Sequence, residues 1–243
     1  MKNLVRFEIT KSPMSILEVH LDKGQGVRAE GGSLVYMIGN IEIDTRMRQG
    51  GFLKNLKVAT LGGESFFVND FIAKEDGCTI GLTGRPVGDI MQIPVTDGNG
   101  FIIQSNVFTA CSIGIEIDTK WQGFTKGIFG SELFMLKATG NGDVFVNAYG
   151  GIIKKDLANG EKMTLDNYHL VALSENANYN VTKFGGLKST ILGGEGLVTE
   201  IIGPGSVYFQ TKNLKELRDL LAIRQPGETS GSGISIGGFK FGT

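Results

Sequence analysis

The chain has 243 residues, with 24 Lys or Arg against 25 Asp or Glu, and its formal net charge of -1 gives no overall attraction to nucleic acid or anionic lipid. Hydrophobic residues make up 41% and charged residues 20%, a balance that supports a packed core and excludes wholesale disorder. Glycine is the outlier at 37 residues, about twice the usual ~7%; it weakens helix interiors and suits turns and bulges, so short strands are expected throughout.

The opening segment, MKNLVRFEIT, meets Arg6 and Glu8 before any apolar run and does not read as a secretory signal. Strand-like segments follow along the chain: VRFEI, LEVHL, LVYMI, IEIDT (41–45), SFFV, IEIDT (115–119), DVFVNAY and SVYFQ. They are β-branched or aromatic and alternate with period two. Gly paired with Asn, Asp or Pro punctuates them in DKGQG, DGNG, GNGD, ANGE and GPG. Near the end, Asn213 and Glu216 form a capping-box pair, Leu214, Leu217, Leu220 and Leu221 make one apolar stripe, and Pro226-Gly227 stops it. A helix is therefore expected over 212–225, followed by a Gly/Ser-rich tail, 226–243. The longest uncharged run, 101–115, is broken by Gln104, Ser105, Asn106, Thr109 and Ser112, well short of the ~18 apolar residues of a spanning helix. The expected location is cytoplasmic.

Three segments share one pattern: IEIDTRM then LGGESFFV, IEIDTKW then FGSELFML, and NYNVTKF then LGGEGLVT. Thr119 matches Thr182, Gly130 matches Gly193 and GNGDVFVN matches GPGSVYFQ, all at an ungapped offset of 63; the first copy fits after a short insertion. The expectation is a single β domain, 1–211, made of three repeats at about 12–86, 87–150 and 151–211, with pseudo-threefold symmetry. Strands this short and frequent suit a closed or sandwich-like all-β architecture.

Chemistry-bearing residues are sparse. Cys78 and Cys111 do not make a disulfide framework, and CxxC is absent. His20 and His169 cannot build a His-rich metal centre, and HxH, HExxH and EF-hand spacings are absent. Glu64, Glu132 and Glu195 hold equivalent repeat positions beside glycines and read as structural turn glutamates that accept backbone N–H bonds. GGEG (193–196) and GSGISIGG (231–238) lack the P-loop pattern. Arg46, Lys120 and Lys183 recur at one repeat position, but without an RNP-type motif or a basic balance they make nucleic acid a minor reading. No catalytic residue and no cofactor is assigned.

The loop WQGFTKGIFG stands apart. Trp121, Phe124, Ile128 and Phe129 lie among glycines with Lys126, and large apolar groups in such a loop call for cover by core, another subunit or lipid. These five residues are the candidate interaction surface.

The Gly-Gly-Glu turns, the IEIDT segments with Trp121 and Gly123 following, and the SGSGISIGGF tail resemble the mitochondrial-biogenesis family called altered inheritance of mitochondria, number twenty-four. The resemblance implies a fold like the trp RNA-binding attenuation protein superfamily, within the double-stranded β-helix class, with three structural repeats. It implies no catalytic residues. The expected function is a non-enzymatic binding or scaffold protein that self-associates as a homo-oligomer with protein or peripheral membrane-surface partners. The alternative from the superfamily analogy is a small-ligand or RNA-binding protein.

Overall fold

In the computed structural model, residues 5–10, 12–44, 67–118, 135–183, 197–214 and 217 are described. Alternation sets the strands: along Ile16–Leu21, Leu17, Val19 and Leu21 are 1% exposed or less while Ile16, Glu18 and His20 between them are half-buried. One face of such a strand supplies the core and the other meets the next layer or solvent.

After an initial strand β1 (Arg6–Thr10), the described residues form eighteen strands in three consecutive sets of six. The first set is β2 (Ile16–Leu21), β3 (Gly26–Glu30), β4 (Leu34–Ile38), β5 (Ile41–Asp44), β6 (Val68–Ala73) and β7 (Cys78–Leu82). The second is β8 (Ile90–Val95), β9 (Phe101–Gln104), β10 (Phe108–Ser112), β11 (Ile115–Asp118), β12 (Met135–Gly140) and β13 (Gly142–Asn147). The third is β14 (Ile152–Leu157), β15 (Lys162–Asp166), β16 (Leu170–Ser174), β17 (Asn178–Lys183), β18 (Leu197–Ile202) and β19 (Gly205–Gln210).

All ladders between named strands are antiparallel, and the sheet orders are β1-β2-β7-β4, β5-β6-β3-β10-β13-β8, β11-β12-β9-β16-β19-β14 and β15-β18-β17. The same neighbours recur in each set: the last strand lies between the first and third, and the fifth between the second and fourth. A register break recurs too, falling between Leu34 and Tyr36 on β4, Phe108 and Ala110 on β10, and Leu170 and Ala172 on β16. Such bulges tilt a strand and increase its twist.

The pairings correct one sequence expectation. The offset of 63 between the second and third sets holds downstream, where Gly142 and Gly205 open β13 and β19. Upstream it is one residue shorter: Ile90 corresponds to Ile152 and Phe108 to Leu170. Asp118 faces Lys137 and Asn180 faces Glu200, so the extra residue of the third set falls between its fourth and fifth strands. Matching Thr119 to Thr182 slid the strand by one position, which in a sheet exchanges its two faces.

Three buried clusters form the core, each dominated by one set and completed by its neighbour: Ile90, Ala110 and Phe145 join the first, while Ile102 and Met135 join the third. The join between sets is tight at Gly88, where an added Cβ would lie 2.3 Å from the carbonyl oxygens of Ala148 and Gly150. Arg28 on β3 pairs with Asp70 on β6 through Nε–Oδ1 at 2.7 Å and Nη2–Oδ2 at 2.9 Å, and also donates to the Ile115 carbonyl in the second set at 3.2 Å. No helix of seven or more residues occurs among the described residues. The expected helix over 212–225 lies largely outside them; Leu214 and Leu217 are half-buried, and the Leu217 N–H donates to the Asn213 carbonyl at 3.2 Å.

Candidate interaction surface

Every sheet has two edges, and an edge strand offers unpaired backbone groups to any passing strand. Natural sheets blunt edges with charge or proline, and among the described residues seven of the eight sheet edges follow that rule. β1 carries Arg6 and Glu8, β5 Glu42 and Asp44, β11 Glu116 and Asp118. β8 carries Pro94, β14 Lys154, Lys155 and Asp156, β15 Lys162 and Asp166, and β17 Lys183. The eighth is β4, whose sequence LVYMI has neither charge nor proline.

The exposure of β4 is equally unusual. Leu34 is 37% exposed, Val35 53%, Met37 37% and Ile38 60%. The positions corresponding to Leu34, Val35 and Met37 are 0% exposed in β10 (Phe108, Thr109, Cys111) and in β16 (Leu170, Val171, Leu173), while those corresponding to Ile38 are the half-buried Ser112 and Ser174. Full burial of one large apolar side chain is worth roughly 1.5–3 kcal/mol, so β4 leaves a substantial stabilisation unrealised in a single chain.

The ring at the centre of β4 is held from below. Ala110 faces Phe145 and Ala172 faces Tyr208, whereas Tyr36 faces Gly81. The aromatic has changed strands in the first set, and it lies so close over Gly81 that an added Cβ would meet the ring at 2.3 Å. The Tyr36 hydroxyl donates to Glu18, and this bond to a carboxylate raises the phenol above its ordinary range.

Glu18 also belongs to a cluster with Glu8 and His20, whose ligand-type atoms lie within 4.8 Å of one another. Glu8 and Glu18 face each other across β1 and β2, and Arg6 faces His20. Two carboxylates and one imidazole could hold a divalent cation in kind, but the site lies on the open sheet surface beside a cation. Sequence motifs gave no sign of it because its ligands come from two strands. His20 Nδ1 contacts the Thr79 hydroxyl at 3.2 Å; His169 sits between the Gln210 carbonyl, 2.7 Å from Nδ1, and Asn213, 2.9 Å from Nε2.

Cys78 and Cys111 are buried free thiols. Burial pushes the Cys111 thiol up to about 12, against the opposing pull of Arg28; a thiolate nucleophile is therefore disfavoured there.

Trp121, Phe124, Lys126, Ile128 and Phe129, and the glutamates Glu64, Glu132 and Glu195, lie outside the described residues. They belong to the chain segments between the fourth and fifth strands of their sets, which pair in all three cases. Sequence reading identified LVYMI as a strand but did not single it out as a surface, although it is an uncharged apolar pentad with no masking residue.

Architecture and surface together describe an all-β protein of antiparallel sheets whose described residues leave one apolar edge unguarded. The family model described as Mitochondrial biogenesis AIM24 matches residues 7–212, and the chain belongs to that family. It is 28% identical over 227 residues to an uncharacterized protein of Streptococcus pyogenes serotype M6, covering 90% of each. It is also similar to the X-ray crystal structure of a Streptococcus pyogenes protein, with a TM-score of 0.72, 26% identity, and coverage of 90% of this chain and 98% of that one. No helix among the described residues is long and apolar enough to cross a membrane.

Proposed function

We propose that this protein is a non-catalytic scaffold that works by self-association, built from three copies of one six-strand unit with pseudo-threefold character in the manner of a double-stranded β-helix. The repeat reading draws support from the recurring neighbour order and from the bulge at the same step of β4, β10 and β16. The observation that carries self-association is the uncharged, exposed edge strand β4, set against its two counterparts, each buried at every position but the last. A strand edge presents backbone donors and acceptors beside its side chains, so it fits another strand better than lipid, which cannot satisfy those groups. The partner is therefore protein. A peripheral membrane contact through the Trp121–Gly130 loop is a separate possibility that liposome flotation addresses.

Light scattering on the eluting full-length chain across a range of concentrations tests the reading. The expected result is a mass that is a multiple of 26.1 kDa and rises with concentration. A monomer at every concentration overturns it.

A further inference from the structure

We propose that β4 is completed by strand β15 of a second copy of this chain, antiparallel, with Tyr36 opposite Leu165, Met37 opposite Thr164 and Ile38 opposite Met163. This rests on the self-association proposed above and names its partner and register.

The two six-stranded sheets show how such a junction is built. Each joins two three-strand halves from successive sets: β5-β6-β3 meets β10-β13-β8 through β3 and β10, and β11-β12-β9 meets β16-β19-β14 through β9 and β16. The other two sheets are the unjoined halves. One is β15-β18-β17, and the other is β4-β7-β2 with β1 added at its far side. β4 holds the position of β10 and β16, and β15 that of β3 and β9. Among the described residues no ladder joins β4 to β15. A copy supplying β15 to the β4 of its neighbour would complete a third six-stranded core of the same kind.

The register follows from the existing junctions. The shared bulge makes Tyr36 the counterpart of Ala110 and Ala172. β9 and β15 each run directly into a single 3₁₀ turn, Ser105–Val107 and Asn167–His169, which makes Leu165 the counterpart of Ile103. Ile103 in turn holds the place of Ala29, since Ala110 faces Ala29 at one junction and Ala172 faces Ile103 at the other. Tyr36 therefore faces Leu165.

Side chains fit that register. Phe101 of β9 packs edge-on against Tyr208 with ring centroids 5.8 Å apart, and Val27 of β3 lines one hollow with Phe145. The counterpart of Phe101 and Val27 is Met163, and it would come over the Tyr36 ring lying on Gly81. A thioether against an aromatic ring is a favourable contact. Because β4 and β15 are different surfaces, the contact is head-to-tail, and it generates a ring if the rotation closes or a filament if it does not.

The test uses full-length Met37→Cys and Thr164→Cys variants, mixed in equal amounts and oxidised. Directly opposed residues in an antiparallel pair have Cα atoms about 4.5–5.5 Å apart, within the span of a disulfide, and both native thiols are buried. The expected result is a covalent dimer in the mixture, absent from either variant alone, with the 37–164 linkage identified by peptide mass spectrometry. Adding Val35→Lys and Ile38→Lys to the Met37→Cys chain changes only exposed side chains, so the circular dichroism spectrum should be unchanged and the cross-link lost. An oligomer by light scattering that gives no 37–164 linkage overturns the register and leaves self-association standing. A monomer overturns both. A chain carrying both cysteines that closes on itself in dilute solution, with no cross-link in the mixture, places the junction within one molecule and overturns the second-copy assignment.

Discussion

Replacing Arg28 with Met probes how the first two sets of strands are held together. The guanidinium makes two bonds to Asp70 and a third to the Ile115 carbonyl; its side chain is 16% exposed and that of Asp70 2%. The hydrogen bond to Asp70 outweighs burial and raises the Arg28 pKa, so the cation persists at any working pH. Arg28→Met deletes three charge-assisted donors and leaves a carboxylate in the core. Breaking a buried pair from one side costs about 3–5 kcal/mol. At about 2–4 °C per kcal/mol for a chain of this size, Tm should fall by roughly 6–20 °C. The double variant Arg28→Met, Asp70→Leu removes both charges and should recover most of the loss, because apolar replacement of a buried ion pair is close to neutral. Urea melts of the parent, both single variants and the double variant, at one protein concentration, give the coupling energy. A value above ~2 kcal/mol is expected for such a pair. If the two single losses simply add in the double variant, the pair is not a coupled unit and the reasoning fails.

Cys111, held up to about 12 by burial, should resist a thiol reagent such as DTNB at pH 8 and react only as denaturant opens the fold; rapid labelling of the native chain would contradict the packing. Glu175 is held below its usual range of about 4.5, first by the Lys137 ammonium at 2.8 Å, with a further contribution from the Gly100 N–H at 3.0 Å. A depressed carboxylate contributes stability that is fully present above its unfolded pKa and is lost as pH falls through the folded value. Glu175→Gln should therefore lower Tm at pH 7 and flatten its decline between pH 5 and pH 3; an unchanged acid limb would discard the contribution.

Much of the architecture was legible in the residues because local chemistry and tertiary structure agree there. Strand after strand falls where β-branched and aromatic residues alternate between Gly-rich turns, as in LEVHL, DVFVNAY and SVYFQ. The recurrence of GNGDVFVN as GPGSVYFQ pointed to a repeated motif, and those strands hold matching sheet positions. The slip at Thr119 and Thr182 shows where such reading ends. Identical letters in a glycine-rich chain can align one residue off, and only the ladder, which fixes Asp118 opposite Lys137 and Asn180 opposite Glu200, decides the face. The expected surface from Trp121 to Phe129 lies outside the described residues, and among the described residues the exposed apolar strand is β4.

By itself the sequence determined the class of secondary structure, the turn positions and the composition of each strand, because these depend on side-chain shape and on neighbours a few residues away. It could not say which strand ends a sheet. LVYMI reads as a strand without showing its place in a sheet, and its counterparts β10 and β16 are interior strands. What distinguishes β4 is the absence, among the described residues, of a strand on its second side. Strand pairing joins residues far apart in the chain, so an edge is a property of the assembled sheet. Tertiary structure alone decided that, among the described residues, β15-β18-β17 and β1-β2-β7-β4 form separate sheets.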